Sequence, residues 1–253
     1  MDPYIEIVTL IGIGFVAGVI NTISGGGSAL TLPALIFLGL PPTIANGTNR
    51  IGILIQSITA AAGFKSKKVA IAPFNTTGNI GVSIAVAVGA IVGAFIAVDI
   101  SERTFNRILA VVILIVILGI VFKPKMSLRG QERLTGKYLW LSIISFFFIG
   151  IYAGFIQAGT GILILLAFST INRLSLVASN ACKTGIVFII TLAAIGIFAY
   201  HQQINYSYGI ILAIGNAFGG WVASRWSVNK GDGLVKVFMV LTVIIMAIKL
   251  WMR

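Results

Sequence analysis

Two basic side chains, Arg50 and Lys183, lie deep inside long apolar stretches of the sequence. If both stretches are membrane helices, Arg50 lies about 10 Å from one end of its helix, and Lys183 about 14 Å from the opposite end of its own. A charge at such depth is costly and usually marks a transport pathway. All six acidic residues lie near segment ends or in loops, so the sequence offers neither cation a carboxylate partner. An anionic ligand is therefore a natural partner, and arginine can hold an oxyanion through two parallel hydrogen bonds. The alternative is that each side chain snorkels to its nearest membrane surface.

Two glycine-rich breaks supply a second feature that could bind an anion. They cover residues 21–28 and 157–161, and each is followed by a short apolar segment. The backbone N–H groups at a helix start attract anions, and glycine lets a ligand approach the backbone closely. Together with the neighbouring amides, the predicted substrate-binding set is Asn21, Gly25, Gly26, Gly27, Ser28, Asn46, Asn49, Arg50, Gln157, Gly159, Thr160, Gly161, Asn180 and Lys183.

Structural roles compete with binding for several of these positions. The glycines of the breaks could serve tight helix packing instead, because small residues mediate helix contacts in membranes. The amide side chains could hydrogen-bond backbone groups that the helix breaks leave unpaired, rather than a substrate. The sequence does not separate these two roles. For two glycine pairs outside the breaks, Gly89/Gly93 and Gly215/Gly219, we expect helix packing.

Composition assigns these stretches to a membrane. Of 253 residues, 58% are hydrophobic and 9% are charged, and the mean hydropathy is +1.06. An ordinary soluble domain has about 25% charged residues. These values exclude a soluble globule and a disordered chain, and they predict an all-α polytopic membrane protein in a single integral membrane domain. The net charge of +12 is explained by basic loops rather than by nucleic-acid binding.

Ten apolar segments can be marked along the chain. About eight are long enough to span a bilayer, whereas 28–39 and 161–171 are too short and are read as re-entrant or broken helices. Basic clusters follow the third and ninth segments and fill the central loop, and Arg173 precedes the eighth. With these bases in the cytoplasm, both termini face the periplasm. The segments are 4–23, 28–39, 43–64, 72–98, 104–122, 137–157, 161–171, 174–200, 206–225 and 233–251.

The two halves of the chain resemble each other in order and spacing. Residues 17–21 match 153–157, and 45–52 match 178–185, which aligns Arg50 with Lys183. We divide the chain into a first repeat (1–122), a basic linker (123–136) and a second repeat (137–253). Each repeat holds five segments, an odd number, so the repeats enter the membrane in opposite directions. That arrangement is an inverted repeat, typical of secondary transporters; the alternative is a chance match between glycine-rich apolar sequences.

The run from Gly14 through Gly25-Gly26-Gly27, followed by Leu32-Pro33-Ala34-Leu35 and by 45–50, resembles the sulfite exporter TauE/SafE family, also called the toluene sulfonate uptake permeases. The second-half runs 154–161 and 179–183 are similar to that family's second repeat, although the triple glycine and the proline pair are missing there. The resemblance covers essentially the whole chain. It implies a multi-pass carrier of the prokaryotic inner membrane for sulfite, sulfonates or related small anions.

The remaining residues favour transport over catalysis. His201 is the only histidine and Cys182 the only cysteine, so the sequence predicts no enzyme, no metal site and no cofactor. The expected partners are a small anion and the lipid bilayer. A secondary carrier with alternating access is the leading hypothesis, with a small-anion channel or a non-transporting membrane scaffold as alternatives. The particular anion, the direction, the coupling ion and the oligomeric state stay open.

Overall fold

The computed structural model describes residues 3–74, 76–121 and 132–227, and within them the chain forms nine helices. Nine of the ten predicted segments correspond to these helices. The tenth segment, 233–251, and most of the linker lie outside the described residues. The helices are α1 (Pro3–Ser24), α2 (Ser28–Phe37), α3 (Pro42–Ser66), α4 (Thr76–Asp99), α5 (Glu102–Val121), α6 (Lys137–Phe155), α7 (Thr160–Thr170), α8 (Leu176–Tyr200) and α9 (Tyr206–Ser227).

Two helices, α4 and α8, begin later than the predicted segments, for local reasons. The fourth segment was expected from residue 72, but α4 begins at Thr76. The amide of Asn79 bonds both the N–H and the C=O of Phe74, which holds the chain in a turn ahead of the helix. The eighth segment was expected from residue 174, but α8 begins after Ser175, whose hydroxyl caps the helix by accepting from the N–H of Ala178.

The helices form a multi-pass membrane protein. Among the described helices, α1, α4, α6 and α8 are long and apolar enough to cross a membrane. The short helices α2 and α7 were predicted from the breaks, and at about 15–17 Å each is too short to cross the hydrocarbon core. Large apolar side chains such as Phe95, Trp140 and Phe148 are exposed on the outside of the bundle. An exposed apolar surface of this kind suits contact with lipid tails.

Two close helix crossings join the two halves of the chain. In α1 and α9, the backbones meet at Gly14, Gly18, Gly215 and Gly219, where a β-carbon would overlap backbone atoms of the opposite helix. The packing role expected for Gly215 and Gly219 is thereby confirmed.

The second crossing repeats this arrangement between α4 and α6. Gly89 and Gly93 lie against the carbonyls of Phe147 and Ile151, so the packing role expected for this pair is confirmed as well. The first helix of each half therefore packs, through glycines, against the fourth helix of the other half.

Side-chain contacts between neighbouring segments define two opposite ends of the bundle. At one end, which we call the basic end, Asn172 bonds the backbone of Arg133, and the thiol of Cys182 contacts the carbonyl of Ala70. The bases Lys65, Lys67, Lys68, Arg133, Arg173 and Arg225 belong to segments that meet here. At the opposite end, Gln203 bonds the carbonyl of Val98, and Asn205 bonds Thr48.

Candidate functional site

The two glycine-rich breaks meet in the interior of the bundle. Residues 22–35 and 156–161 are buried. Gly25 (φ +81°) and Gly159 (φ +70°) adopt the left-handed conformation that favours glycine. The backbones of Gly25 and Gly161 touch, and a β-carbon on either residue would overlap the other. The end of α1 and the start of α7 are thereby held in direct contact, and this contact requires glycine at both positions.

Arg50 lies in the third turn of α3 and is fully buried. Its Nη2 donates to the carbonyl oxygens of Gly154 (2.5 Å) and Ala153 (3.3 Å), in the last turn of α6. The guanidinium carbon lies 4.4 Å from the ring centroid of Phe198, a favourable cation–π position. Nε and Nη1 have no hydrogen-bond partner within the described residues. A buried donor left unpaired costs about 1–3 kcal/mol, so donating a hydrogen bond to a ligand oxygen would relieve a penalty at this guanidinium.

Two asparagines on the same helix extend the polar surface around Arg50. Asn46, one turn earlier, donates from Nδ2 to the carbonyl oxygen of Phe155 (2.8 Å), so its amide and Arg50 together cover the end of α6. The Oδ1 of Asn46 has no partner among the described atoms. Asn49 accepts from the hydroxyl of Thr31 in α2 (2.6 Å), and its Nδ2 is unpaired there. An unpaired acceptor and further unpaired donors thus accompany the guanidinium on one helix.

Lys183, the residue that the sequence aligns with Arg50, lies in α8, and its ammonium group is saturated. Nζ lies 2.9 Å from the carbonyl of Asn21, 2.8 Å from that of Thr22 and 2.8 Å from Oδ1 of Asn180. An ammonium group has three protons, and these three acceptors use them. The side chain is only 2% exposed. Lys183 therefore holds the last turn of α1 next to the first break.

Neither cation snorkels to the bundle surface. Arg50 is fully buried, and Lys183 is nearly so, with both side chains directed at helix ends. The last carbonyls of a helix lack partners within the helix and carry its negative dipole end, which makes them good acceptors for a cation. The sequence argument considered only carboxylates and an anion as neutralising partners. Two backbone carbonyls and the Oδ1 of Asn180 account for the three protons of Lys183, whereas the carbonyls at the end of α6 leave Arg50 partly unpaired.

The amides of the two breaks are used differently. Asn21 donates to Oε1 of Gln56 (2.8 Å), and Gln56 donates in turn to Thr22 (2.9 Å). Gln157 donates to Thr191 (2.7 Å), while its Oε1 has no partner among the described residues. The hydroxyl of Thr160 is likewise buried and unpaired there.

Three other residues of the predicted set form the start of α2. The N–H groups of Ala29 and Leu30 donate hydrogen bonds to the carbonyl oxygens of Gly26 and Gly27, respectively (both 3.0 Å). Gly27 packs so closely on α1 that a β-carbon would overlap the carbonyl of Ala17. Ser28 is buried as the first residue of the helix. At Gly27, packing against α1 explains the glycine.

Sequence reasoning missed four contributors to this site: Gln56, Thr31, Thr191 and Phe198. Gln56 could have been found, because it lies seven residues after Asn49 and so shares its helix face. Thr191 similarly lies eight residues after Lys183. Thr31 and Phe198 carry no signal of this kind, since a threonine or a phenylalanine is ordinary in an apolar helix.

A cleft of about 190 Å³ opens beside the second break. Gly159 and Tyr152 line it, and α5 and α7 contribute apolar side chains such as Val112 and Leu163. The hydroxyl of Tyr152 is already used by the carbonyl of Ala158 (2.6 Å). The cleft is therefore apolar and does not offer a cation to an anion.

Comparison with known proteins gives a match over nearly the whole chain. The family model described as "Sulfite exporter TauE/SafE" matches residues 10–250. A "Probable membrane transporter protein" of Haemophilus influenzae is 28% identical, over 99% of this chain and 96% of its own length. No solved structure matches the chain.

Two further relatives carry similar names. The "Probable membrane transporter protein ORF9" of Sinorhizobium is 28% identical over 93% of this chain and 88% of its own length. The "Probable membrane transporter protein YfcA" of Escherichia coli K12 is 26% identical over 94% of this chain and 87% of its own length.

Proposed function

The chain belongs to the sulfite exporter TauE/SafE family of membrane transporters, and from that premise we propose that it is a secondary carrier for small sulfur-containing anions such as sulfite or organosulfonates. The observation that carries the proposal is the buried guanidinium of Arg50, whose Nε and Nη1 are unpaired within the described residues. Oxygens of a sulfite or sulfonate group are suitable acceptors for these donors.

The binding site in this proposal lies where the two breaks meet. Arg50, Asn46 and Asn49 supply unpaired polar atoms from α3, and Gln157 and Thr160 supply them from the second break. The contact between Gly25 and Gly161 places the two breaks together. Broken helices at the centre of the bundle are where secondary carriers bind their substrates. Within the predicted set, Lys183 and Asn180 act on the first break, and the glycines shape the backbone.

We further propose that the halves are inverted repeats with about eight full spans, divided as 1–122 and 137–253 around the linker. The reciprocal contacts support this proposal. Arg50 of the first half reaches the end of α6, and Lys183 of the second half reaches the end of α1. The glycine crossings follow the same pattern: α1 of the first half packs on α9 of the second, and α6 of the second half packs on α4 of the first. Two halves related by a pseudo-two-fold axis would make such paired contacts.

The proposed location is the inner membrane of a prokaryote, with the basic end in the cytoplasm and both termini in the periplasm. The bacterial sources of the three relatives support the location. The bases gathered at the basic end support the orientation, because cytoplasmic loops are enriched in lysine and arginine.

Flux measurements in proteoliposomes test the function. We expect saturable uptake of at least one of sulfite, thiosulfate, taurine and sulfoacetate, with counterflow when unlabelled substrate is loaded inside. Saturable counterflow identifies a carrier, whereas flux without counterflow identifies a channel. No flux of any of the four anions by monodisperse, folded protein would contradict the proposal and favour a scaffold.

A further inference from the structure

Resting on the function proposed above, we infer that the site selects singly charged anions over doubly charged ones. The reason is that the two buried cations are unequal. Hydrogensulfite and simple alkanesulfonates such as methanesulfonate carry one negative charge on an oxygen-rich sulfur group. The sulfite dianion, sulfate and thiosulfate carry two.

Lys183 has no proton left to offer an anion. Its three protons face the carbonyls of Asn21 and Thr22 and the amide oxygen of Asn180, all within 2.9 Å. An anion could reach this ammonium only by displacing an acceptor that holds the first break.

Arg50 keeps unpaired protons. Of the five N–H protons of a guanidinium, Nη2 carries two and directs them at the end of α6, so three remain on Nε and Nη1. Neither nitrogen has an acceptor among the described residues. The ring of Phe198 covers one face of the group, which leaves its edge for a ligand oxygen.

The groups beside Arg50 add no further charge. The unpaired atoms of Asn46, Asn49, Gln157 and Thr160 belong to neutral side chains. Each carboxylate of the described residues (Glu6, Asp99, Glu102 and Glu132) is partly or fully exposed. Within the described residues, one buried cation with unpaired protons thus faces the ligand. A monoanion forms a neutral pair with it, whereas a dianion leaves one negative charge in a site closed to water, and burying that charge is unfavourable.

The test uses the wild-type protein in proteoliposomes and two labelled probes, sulfite and methanesulfonate, over a pH series. Sulfite takes up a proton and becomes singly charged as the pH falls through neutrality, whereas methanesulfonate stays singly charged throughout. We expect sulfite flux to rise with the hydrogensulfite fraction and methanesulfonate flux to stay level. As competitors of methanesulfonate flux, sulfate and thiosulfate should be at least about tenfold weaker than ethanesulfonate. Sulfite flux that follows the dianion, or equal competition by sulfate, would overturn the inference.

Two variants link the preference to Arg50, with inhibition by ethanesulfonate and by sulfate as the readout. Arg50→Lys keeps the single charge, so affinity falls while the ratio of the two inhibitions is preserved. Arg50→Gln removes the charge, so inhibition by ethanesulfonate weakens at least about tenfold and the ratio does not fall; undiminished inhibition by ethanesulfonate in Arg50→Gln would contradict the assignment. If sulfite, sulfate and sulfonates are all carried equally well, the charge inference fails and the carrier function stands. If no sulfur anion is carried in any charge state, the carrier function itself fails.

Discussion

Arg50 and Lys183 each donate hydrogen bonds to the last backbone carbonyls of the first helix in the opposite half of the chain. Arg50 reaches Gly154 at the end of α6, and Lys183 reaches Thr22 at the end of α1. Both helices end at a glycine-rich break, and the two breaks touch through Gly25 and Gly161. The cations therefore hold the two breaks in place, and a change at either residue acts on the centre of the bundle.

Replacing Lys183 is expected to destabilise the protein. Lys183→Met leaves the carbonyls of Asn21 and Thr22 without their charged donor, and we expect a loss of at least about 2 kcal/mol in folding free energy. The measurement is the melting temperature of the detergent-solubilised protein. The matched control is Lys65→Met at an exposed position near the end of α3. Equal melting of the two variants would show that the ammonium does not stabilise the break.

The contact between the breaks predicts a strong effect of one methyl group. Gly25→Ala forces a β-carbon into the backbone of Gly161 at a left-handed φ of +81°, a conformation that alone costs about 1–2 kcal/mol. We expect reduced folded yield and loss of flux. The control is Gly196→Ala in α8, where a β-carbon meets nothing within 4 Å and alanine favours the helix. If both variants fold and transport alike, the two breaks are not in contact.

The orientation can be tested by labelling single cysteines in intact cells. Cys182 is buried, and replacing it with serine first removes the native thiol. Cysteines introduced at Asp2 and Gln203 should react with a membrane-impermeant maleimide, because both positions are expected in the periplasm. A cysteine at Gly130, in the basic linker, should react only after the cells are permeabilised. Labelling of position 130 in intact cells would reverse the proposed topology.

Transport should follow the membrane potential without a proton-carrying carboxylate. None of the carboxylates in the described residues is buried. Export of a monoanion from a cell that is negative inside is favoured by about 2.3 kcal/mol per 100 mV. In proteoliposomes with the potential and the pH gradient clamped separately, methanesulfonate flux should respond to the potential. The prediction is wrong if a pH gradient alone drives its accumulation and Glu6→Gln or Glu102→Gln abolishes that flux.

Much of the fold could be predicted because hydropathy and glycine act locally. Apolar runs gave the helices within a few residues, and the glycines at 25–27 and 159–161 marked both breaks. Arg50 and Lys183 were singled out because a cation in an apolar helix is unusual. Their partners could not be predicted, because a backbone carbonyl carries no residue identity: Ala153 and Gly154 look like any small residues of α6.

The difference in hydrogen bonding between Arg50 and Lys183 could not be predicted for the same reason. Aligned positions in the two halves suggested equal roles for Arg50 and Lys183. Only their hydrogen-bond partners show that the ammonium is saturated and the guanidinium is not.

The most direct test of the account is the affinity of Arg50→Gln for a singly charged sulfur anion. Glutamine keeps a polar side chain at this position, but it removes the charge and the unpaired guanidinium protons. Losing charge-assisted hydrogen bonds worth about 1.5–3 kcal/mol should weaken methanesulfonate binding about 10- to 100-fold. The matched control, Arg103→Gln at an exposed position in the first turn of α5, should bind like the wild type. Wild-type affinity in monodisperse, folded Arg50→Gln would contradict the proposed anion site.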